Sequence, residues 1–215
     1  SVRVSTRKNP KNFPNNIPIN CEVVQVDYNK EFELNKMMSG IDCAINLAGP
    51  DSHSTYDDSE LLINNHINLT KNLFQAASQN SVSQFIYFST IHVYGKNLKG
   101  NLTNEILPLP KSMFAIAHLN AESYLLSQDV EMQKIIVRCA NTFGAEYFEN
   151  EKCWTLAVNQ FCKMAINTGK IIINSPNEHR NFIPMKKVCK KVQDLISGKG
   201  KNITINIGDS ESVSI

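Results

Sequence analysis

Residues 84–95 read QFIYFSTIHVYG and indicate the fold of this chain more clearly than any other segment. The part from Phe85 to Phe88 is an unbroken apolar and aromatic run, which is typical of a parallel strand buried on both faces. Hydroxyl, imidazole and glycine residues follow that run directly. Because ligands of open parallel sheets bind outside the carboxyl ends of the strands, this segment predicts a central strand followed by a binding loop.

Similar short apolar runs alternate with longer helical patterns along the whole chain. Strands are predicted at 2–6, 22–26, 42–48, 84–89, 134–139, 170–174 and 202–207. Helices are predicted at 30–39, 59–78, 112–127, 154–168 and 184–197, and residues 212–215 resemble the start of another helix. Strict alternation of strands and helices predicts an α/β fold with a doubly wound parallel sheet. Gly40, Gly169 and Gly198 follow three of the helices directly, which predicts left-handed helix caps.

The composition describes an ordinary globular chain. Its 215 residues are 42% hydrophobic and 20% charged, with a formal net charge of +2 at pH 7. A disordered chain would contain fewer apolar residues, and a nucleic-acid-binding protein would usually carry a concentrated basic excess. No apolar run is long enough to span a membrane. We therefore expect neither a nucleic-acid partner nor a membrane partner.

The cysteines and histidines lack the spacing of a metal site. The six cysteines form no C-x-x-C pair, and no histidine lies at metal-ligand spacing from them. This pattern predicts reduced thiols, several of them buried, in a cytoplasmic protein. The histidines predicted to be isolated are His53, His66, His92 and His179. We expect no bound metal.

Glycine is scarce and does not form a phosphate-binding loop. None of the nine glycines belongs to a G-x-G-x-x-G or G-x-x-x-x-G-K motif. The chain begins directly on a strand pattern without an initiator Met. Together these features predict a fragment of a longer protein.

Candidate ligand-binding residues follow three of the predicted strands. Leu47, Ala48 and Gly49 follow the third strand, where small residues would let a flat ligand approach the backbone. Ser89 and Thr90 close the fourth strand. A third block with small and amide side chains spans residues 138–144, after the fifth strand. The carboxyl edge of the sheet is therefore the predicted binding site.

In this order, the residues resemble the extended short-chain dehydrogenase/reductase family, the NAD(P)-dependent epimerases and dehydratases that act largely on nucleotide sugars. The resemblance depends on Asp27, Leu47-Ala48-Gly49, Asn68-Leu69-Thr70, Ser89-Thr90, Val93-Tyr94-Gly95, Glu122, residues 138–144 and Arg180-Asn181-Phe182-Ile183. It implies a Rossmann-like sheet lacking its central first strand and glycine-rich loop, which would leave two unpaired strand edges. It further implies a partial NAD(P)-binding domain at 1–145 and part of a small substrate-binding lobe at 146–215.

The resemblance also implies roles for individual residues. The residues implied to bind the cofactor, NAD or NADP, are Arg7, Asp27, Tyr28, Leu47, Ala48, Gly49, Asn68, Ser89, His118 and Ala140. The residues implied to contact the nucleotide sugar are Thr90, His92, Asn141 and Arg180. Arg7 favours NADP, because a guanidinium suits the additional phosphate.

The catalytic positions implied by the family are Thr90, Phe114 and His118. Family members use a tyrosine with a lysine four residues later, and here Phe114 and His118 occupy those positions. Phenylalanine has no proton to exchange, so the motif is degenerate. His118 has three interpretations: it contacts the cofactor ribose, it acts as an acid or base, or it flanks an apolar packing stripe.

Two functions remain open at this point. The first is an epimerase or dehydratase for a nucleotide sugar, as in polysaccharide biosynthesis, in which the fragment alone is inactive and binds a dinucleotide poorly. The second is a non-catalytic Rossmann-fold module that senses a cofactor or acts as a scaffold. The family resemblance also implies a homodimer through the helices at 59–78 and 112–127.

Overall fold

The computed structural model describes residues 1–10, 18–49, 59–95, 100–144, 154–174, 176–198 and 202–215. The strands are β1 Val2–Thr6, β2 Cys21–Gln25, β3 Cys43–Asn46, β4 Gln84–Thr90, β5 Gln133–Cys139, β6 Asn141–Phe143, β7 His179–Pro184, β8 Ile203–Ile207 and β9 Ser212–Ser214. The helices are α1 Glu31–Met38, α2 Ser59–Gln79, α3 Met113–Ser127, α4 Ala157–Thr168 and α5 Met185–Ser197, with a 3-10 turn at Ile91–Tyr94. The chain divides into unit 1, which contains Ser1–Arg138 and Gly200–Ile205, and unit 2, which contains Cys139–Lys199 and Asn206–Ile215.

Six of the strands, β1 to β5 and β8, form two separate sheets. β1 pairs with β2 in parallel, with Val2 opposite Cys21. A second sheet has the order β3-β4-β5-β8, and β3 pairs with β4 in parallel. The predicted parallel α/β architecture is therefore confirmed. The described strands thus form a two-stranded and a four-stranded sheet, and the absence of a central first strand stays a prediction.

The core of unit 1 forms where α2 and α3 pack beside β4. Phe85 and Ile86, whose side chains lie on opposite faces of the strand, are at most 1% exposed, which confirms that β4 is buried on both faces. The ring of Phe74 on α2 meets Phe85 edge-on at a centroid distance of 5.2 Å. On α3, Ala117 and Ala121 are fully buried, and such small side chains let the helix approach its neighbours closely.

Unit 2 is built on a three-stranded sheet with the order β6-β7-β9. β6 and β7 are parallel, with Asn141 opposite Phe182, and β9 runs antiparallel to β7. α5 follows β7 directly and buries Val188. Asn141 on β6 and Arg180 on β7 therefore lie on neighbouring strands of unit 2.

Four predictions about local structure are wrong. Residues 170–174, predicted as a strand, form no strand among the residues described, and Ile172 is 67% exposed rather than buried between layers. Residues 212–215 do not begin a helix, because Ser212–Ser214 form the strand β9. Gly198 has a φ of −80°, so it is not a left-handed cap, whereas Gly40 at +71° and Gly169 at +67° are confirmed as left-handed. The described cysteines are free, but they are half-buried or exposed rather than buried: Cys21, Cys43, Cys139, Cys162 and Cys189.

Within the ranges described, no helix combines the length and the apolar character needed to cross a bilayer.

Candidate functional site

The carboxyl end of β4 brings together two hydroxyl side chains with different tasks. The Ser89 hydroxyl donates a short hydrogen bond to Glu122 on α3. The Thr90 hydroxyl oxygen accepts from the backbone N–H of His92 at 3.2 Å and so caps the 3-10 turn. The Thr90 O–H can therefore still donate to a ligand, whereas Ser89 is committed to the protein.

A buried ion pair fixes this strand end against α3. The Arg138 guanidinium on β5 donates to both carboxylate oxygens of Glu122: Nη2 lies 2.6 Å from Oε2, and Nε lies 3.1 Å from Oε2 and 3.2 Å from Oε1. The two side chains are 7% and 1% exposed. Arg138 also donates to the Tyr94 hydroxyl at 2.9 Å. Burial opposes the charge on Arg138, but the bonds to Glu122 and Tyr94 outweigh it and raise the Arg138 pKa above its ordinary value.

Beside this ion pair lies a cluster that the sequence did not predict, formed by His66, Tyr87 and His118. The Tyr87 hydroxyl lies 2.6 Å from Nε2 of His66 and 2.8 Å from Nδ1 of His118. The two imidazole rings also contact each other, at a centroid distance of 4.7 Å. His66 is 2% exposed and His118 is 7% exposed. The prediction that His66 is isolated is therefore wrong.

Burial keeps both histidines of this cluster uncharged at neutral pH. It lowers the pKa of His66 to about 4. Burial, together with repulsion from His66, lowers the pKa of His118 to about 3. The Tyr87 pKa is raised well above its ordinary value by burial and by the nearby Glu122 carboxylate. His118 consequently cannot supply the positive charge that a lysine would supply at the same position.

Phe114 packs directly on this cluster. Its ring meets His118 edge-on, with a centroid distance of 4.7 Å, and lies 6.5 Å from the ring of His92. Ala117, Ala121 and Leu125 on the same helix are buried, as the apolar-stripe interpretation of His118 predicts. The structure thus places His118 at the edge of that stripe and in a polar cluster at the same time.

Gly49 is required by packing against His66. A Cβ added to Gly49 would lie 2.8 Å from Cε1 of His66, closer than real Cβ atoms approach. The two preceding residues differ from it: Leu47 is 71% exposed, and the Ala48 N–H donates to the Asn46 side chain at 2.9 Å. In the turn after β3, Leu47 is therefore an exposed apolar side chain that a ligand can contact. Gly49 instead leaves room for the ring of His66.

The other predicted cofactor residues of unit 1 lie near the ends of β1 and β2 or on α2. Arg7 and Asp27 are exposed, and the Asp27 carboxylate accepts from the Asn29 N–H at 3.0 Å. The Tyr28 hydroxyl bonds to Ser5 at 2.9 Å. Asn68 is exposed on α2, two positions after the buried His66.

In unit 2, two predicted substrate residues bond to their own unit. The Asn141 side chain donates to the Asn181 carbonyl at 3.1 Å. Arg180 forms a short ion pair with Glu178, and its side chain is 41% exposed. Ala140 is buried at 8%, and its N–H donates to the Ile207 carbonyl at 2.8 Å. Of these, Arg180 is the most accessible to a ligand.

His66 and Tyr87 are the residues that sequence reasoning missed. His66 occurs alone on a helix that otherwise has ordinary amphipathic character, and Tyr87 lies inside the apolar run of β4. The one available signal is the period of two along β4, which places Tyr87 on the same side as Ser89. Among the residues described, no group of three metal-binding side chains occurs, including around this cluster.

The chain is similar to several nucleotide-sugar enzymes. A dTDP-glucose 4,6-dehydratase from Streptomyces griseus is 26% identical over 117 residues, which are 53% of this chain and 35% of that protein. The structure of UDP-N-acetylglucosamine 4-epimerase from Bacillus cereus is 22% identical, with a TM-score of 0.79 over 99% of this chain and 68% of that one. The structure of MoeE5 in complex with UDP-glucuronic acid and NAD is 19% identical, with a TM-score of 0.83 over 99% of this chain and 70% of that one.

The structural likeness at these identities establishes the Rossmann-type fold, and the family is shown by the sequence itself. The model of the NAD dependent epimerase/dehydratase family matches residues 1–208, nearly the whole chain. The matched range includes Ser89, Glu122 and Arg138 and the helix that carries Phe114 and His118. This chain therefore belongs to the NAD dependent epimerase/dehydratase family.

Proposed function

We propose that this chain belongs to a protein that binds NAD and a nucleotide sugar and carries out epimerase- or dehydratase-type chemistry through a degenerate site. The observation that carries the proposal is the carboxyl end of β4. There the buried Glu122–Arg138 pair and the Ser89 hydroxyl hold Thr90 in place, with the Thr90 O–H free to donate to a sugar oxygen. A fixed donor of this kind is useful for catalysis because it needs no reorganisation when charge develops on the oxygen.

The described residues fit NAD in part. Leu47 is exposed for apolar contact, Asp27 has an accessible carboxylate, and Nε2 of His118 has no hydrogen-bond partner in the described part of the chain. We propose that these three residues, with Ala48, hold the dinucleotide, which when bound accepts and returns a hydride. The 215 residues contain no glycine-rich phosphate turn, so we propose that tight binding requires a longer chain that carries one.

The acid–base step must differ from that of the family, because the pair at its centre has changed. Phe114 has no ionisable group, and the low pKa of His118 keeps that side chain uncharged. We propose that Thr90 and His118 act as hydrogen-bond donors to ligand oxygens. On the substrate side, His92, Asn141 and Arg180 are proposed to contact the nucleotide sugar, with Arg180 exchanging Glu178 for its diphosphate.

A second function is favoured by the packing of Phe114 on His118 at 4.7 Å. Together they occupy the family's catalytic positions with an apolar ring and an uncharged imidazole, which suits a protein that binds the cofactor without turnover. In this alternative the chain is a cofactor-sensing or scaffolding module.

Turnover assays separate the two functions. The 215-residue chain and the longest chain that its gene encodes are incubated with NAD and UDP-glucose or dTDP-glucose, and products are followed by proton NMR. Turnover in the unaltered protein that is lost in Thr90→Val and His118→Ala supports the altered enzyme. No turnover in the unaltered protein, but turnover in Phe114→Tyr/His118→Lys, supports the non-catalytic module.

The matched control is Met113→Tyr, which adds a phenol at an adjacent, 42% exposed position of the same helix. It should create no activity. Absence of nucleotide-sugar and NAD binding in calorimetry, with every protein folded, would contradict both functions.

Location, assembly and cofactor preference are further proposals. The free thiols of the described cysteines support a cytoplasmic location. Met113 and Leu126 on α3 are 42% and 49% exposed, which supports a homodimer through α2 and α3, and light scattering of Leu126→Glu would test it. The exposed guanidinium of Arg7 supports a preference for NADP, and comparison of NAD and NADP affinity in Arg7→Ala would test that preference.

A further inference from the structure

With both rings neutral, the cluster of His66, Tyr87 and His118 has two arrangements in which the Tyr87 proton is itself hydrogen-bonded to a ring. If both rings donated to the Tyr87 oxygen, the buried O–H would have no acceptor in the cluster, so Tyr87 donates to one imidazole nitrogen and accepts from the other. In the first arrangement Tyr87 donates to His66, and Nδ1–H of His118 donates to Tyr87. In the second, Nε2–H of His66 donates to Tyr87, which donates to Nδ1 of His118. The two arrangements leave opposite protonation states at Nε2 of His118.

The remaining nitrogen of His66 decides between them. Nδ1 of His66 is buried and has no hydrogen-bond partner among the residues that the structure describes, and it faces the side of Gly49 that lacks a side chain, where an added Cβ would lie at 3.2 Å. The first arrangement would place an N–H on this atom with nothing to accept it. Buried N–H groups without an acceptor are rarer in proteins than acceptors without a donor. The second arrangement avoids that cost by leaving Nδ1 of His66 as an unprotonated acceptor.

We propose that His66 and Tyr87 are positioning residues that fix the tautomer of His118, so that its Nε2–H presents a hydrogen-bond donor to an oxygen of the bound ligand. The order of donation is His66 to Tyr87 to His118 to ligand. The role toward the ligand rests on the proposed function, whereas the tautomer does not. A neutral imidazole N–H is suited to an oxygen that gains negative charge, as a sugar keto group does, or to a ribose hydroxyl.

The tautomer is measured directly by nitrogen-15 NMR of the histidine side chains in the whole chain at neutral pH. Peaks are assigned with His118→Gln and His66→Gln. Both rings should be neutral and protonated at Nε2. A His118 protonated at Nδ1, or charged at neutral pH, would overturn the inference, and the tautomer is read from the spectrum of the unaltered protein.

The positioning role is tested with Tyr87→Phe. Loss of the central oxygen should release His118 into a mixture of both tautomers. Tyr124→Phe is the matched control, because this tyrosine packs against Phe74 instead of the histidines and should leave the spectrum unchanged. A His118 that keeps the Nε2–H tautomer completely in Tyr87→Phe would overturn the role of Tyr87.

The ligand arm uses NAD alone and UDP-glucose alone as probes. The probe that moves the His118 Nε2–H proton signal downfield is the ligand whose oxygen accepts the hydrogen bond. If at least one probe binds but neither probe moves this signal, the donor role of His118 toward the ligand is overturned. Failure of both probes to bind the longest chain that the gene encodes would refute the proposed function, while the tautomer result would stand.

Discussion

Removal of the charge of Glu122 should destabilise the protein more than any other single change at the site. In Glu122→Gln the side chain keeps its shape, but Arg138, 7% exposed, loses its counter-charge. Two of the Arg138 donors that now reach Oε2, at 2.6 and 3.1 Å, would face an amide, and the Ser89 hydroxyl would compete for the same group. The reason is that a buried charge without a partner is costly, since water cannot reach it.

The expected magnitude follows from the burial of the pair. Breaking a buried ion pair by removing one partner costs about 3–5 kcal/mol in the free energy of unfolding. For a chain of this size, the loss corresponds to a decrease in Tm of roughly 6–20 °C. Urea denaturation followed by circular dichroism measures the free energy, and differential scanning calorimetry measures Tm.

A double variant makes the reasoning refutable. Glu122→Leu/Arg138→Met removes both charges and replaces them with apolar side chains, so it should cost less than Glu122→Gln alone. The exposed pair Arg3–Glu22 is the control, and Glu22→Gln should change the free energy of unfolding by about 0–1 kcal/mol. A loss below about 1 kcal/mol in Glu122→Gln, or a double variant less stable than Glu122→Gln, would refute the account.

Three further changes should have measurable effects. Gly49→Ala should reduce the free energy of unfolding by about 1–3 kcal/mol, because the new Cβ meets the His66 ring; an unchanged urea midpoint would contradict the clash. The lowered pKa values of His66 and His118, about 4 and about 3, mean that the folded state binds fewer protons than the unfolded state below pH of about 6.5. The contribution of the two neutral histidines to the free energy of unfolding should therefore be fully present above that pH. On acidification the free energy of unfolding should fall by up to about 1.4 kcal/mol per pH unit for each histidine, and His118→Gln should flatten this pH dependence. Leu125→Ala, at a 1% exposed position, should cost about 2–5 kcal/mol, whereas Leu126→Ala, next to it and 49% exposed, should cost under about 0.5 kcal/mol in the same denaturation assay.

Local patterns predicted most of the secondary structure because each depends on neighbouring residues. The apolar run of β4, the alternation of strands with helices, and the left-handed Gly40 and Gly169 all follow from local sequence. The family resemblance also followed from the order of short motifs. The pattern failed for residues 170–174, since an apolar run becomes a strand only when a neighbouring strand is available to pair with it.

The sequence by itself determined the α/β fold and the family, and it predicted a degenerate motif at Phe114 and His118. Only the tertiary structure decided which side chains surround those two positions. His66, Tyr87 and His118 come from α2, β4 and α3, separated by 21 and 31 positions, and no periodicity links them. Their pKa values and proton arrangement are properties of burial and of contacts between these elements, so they exist only once the helices have packed beside the strand.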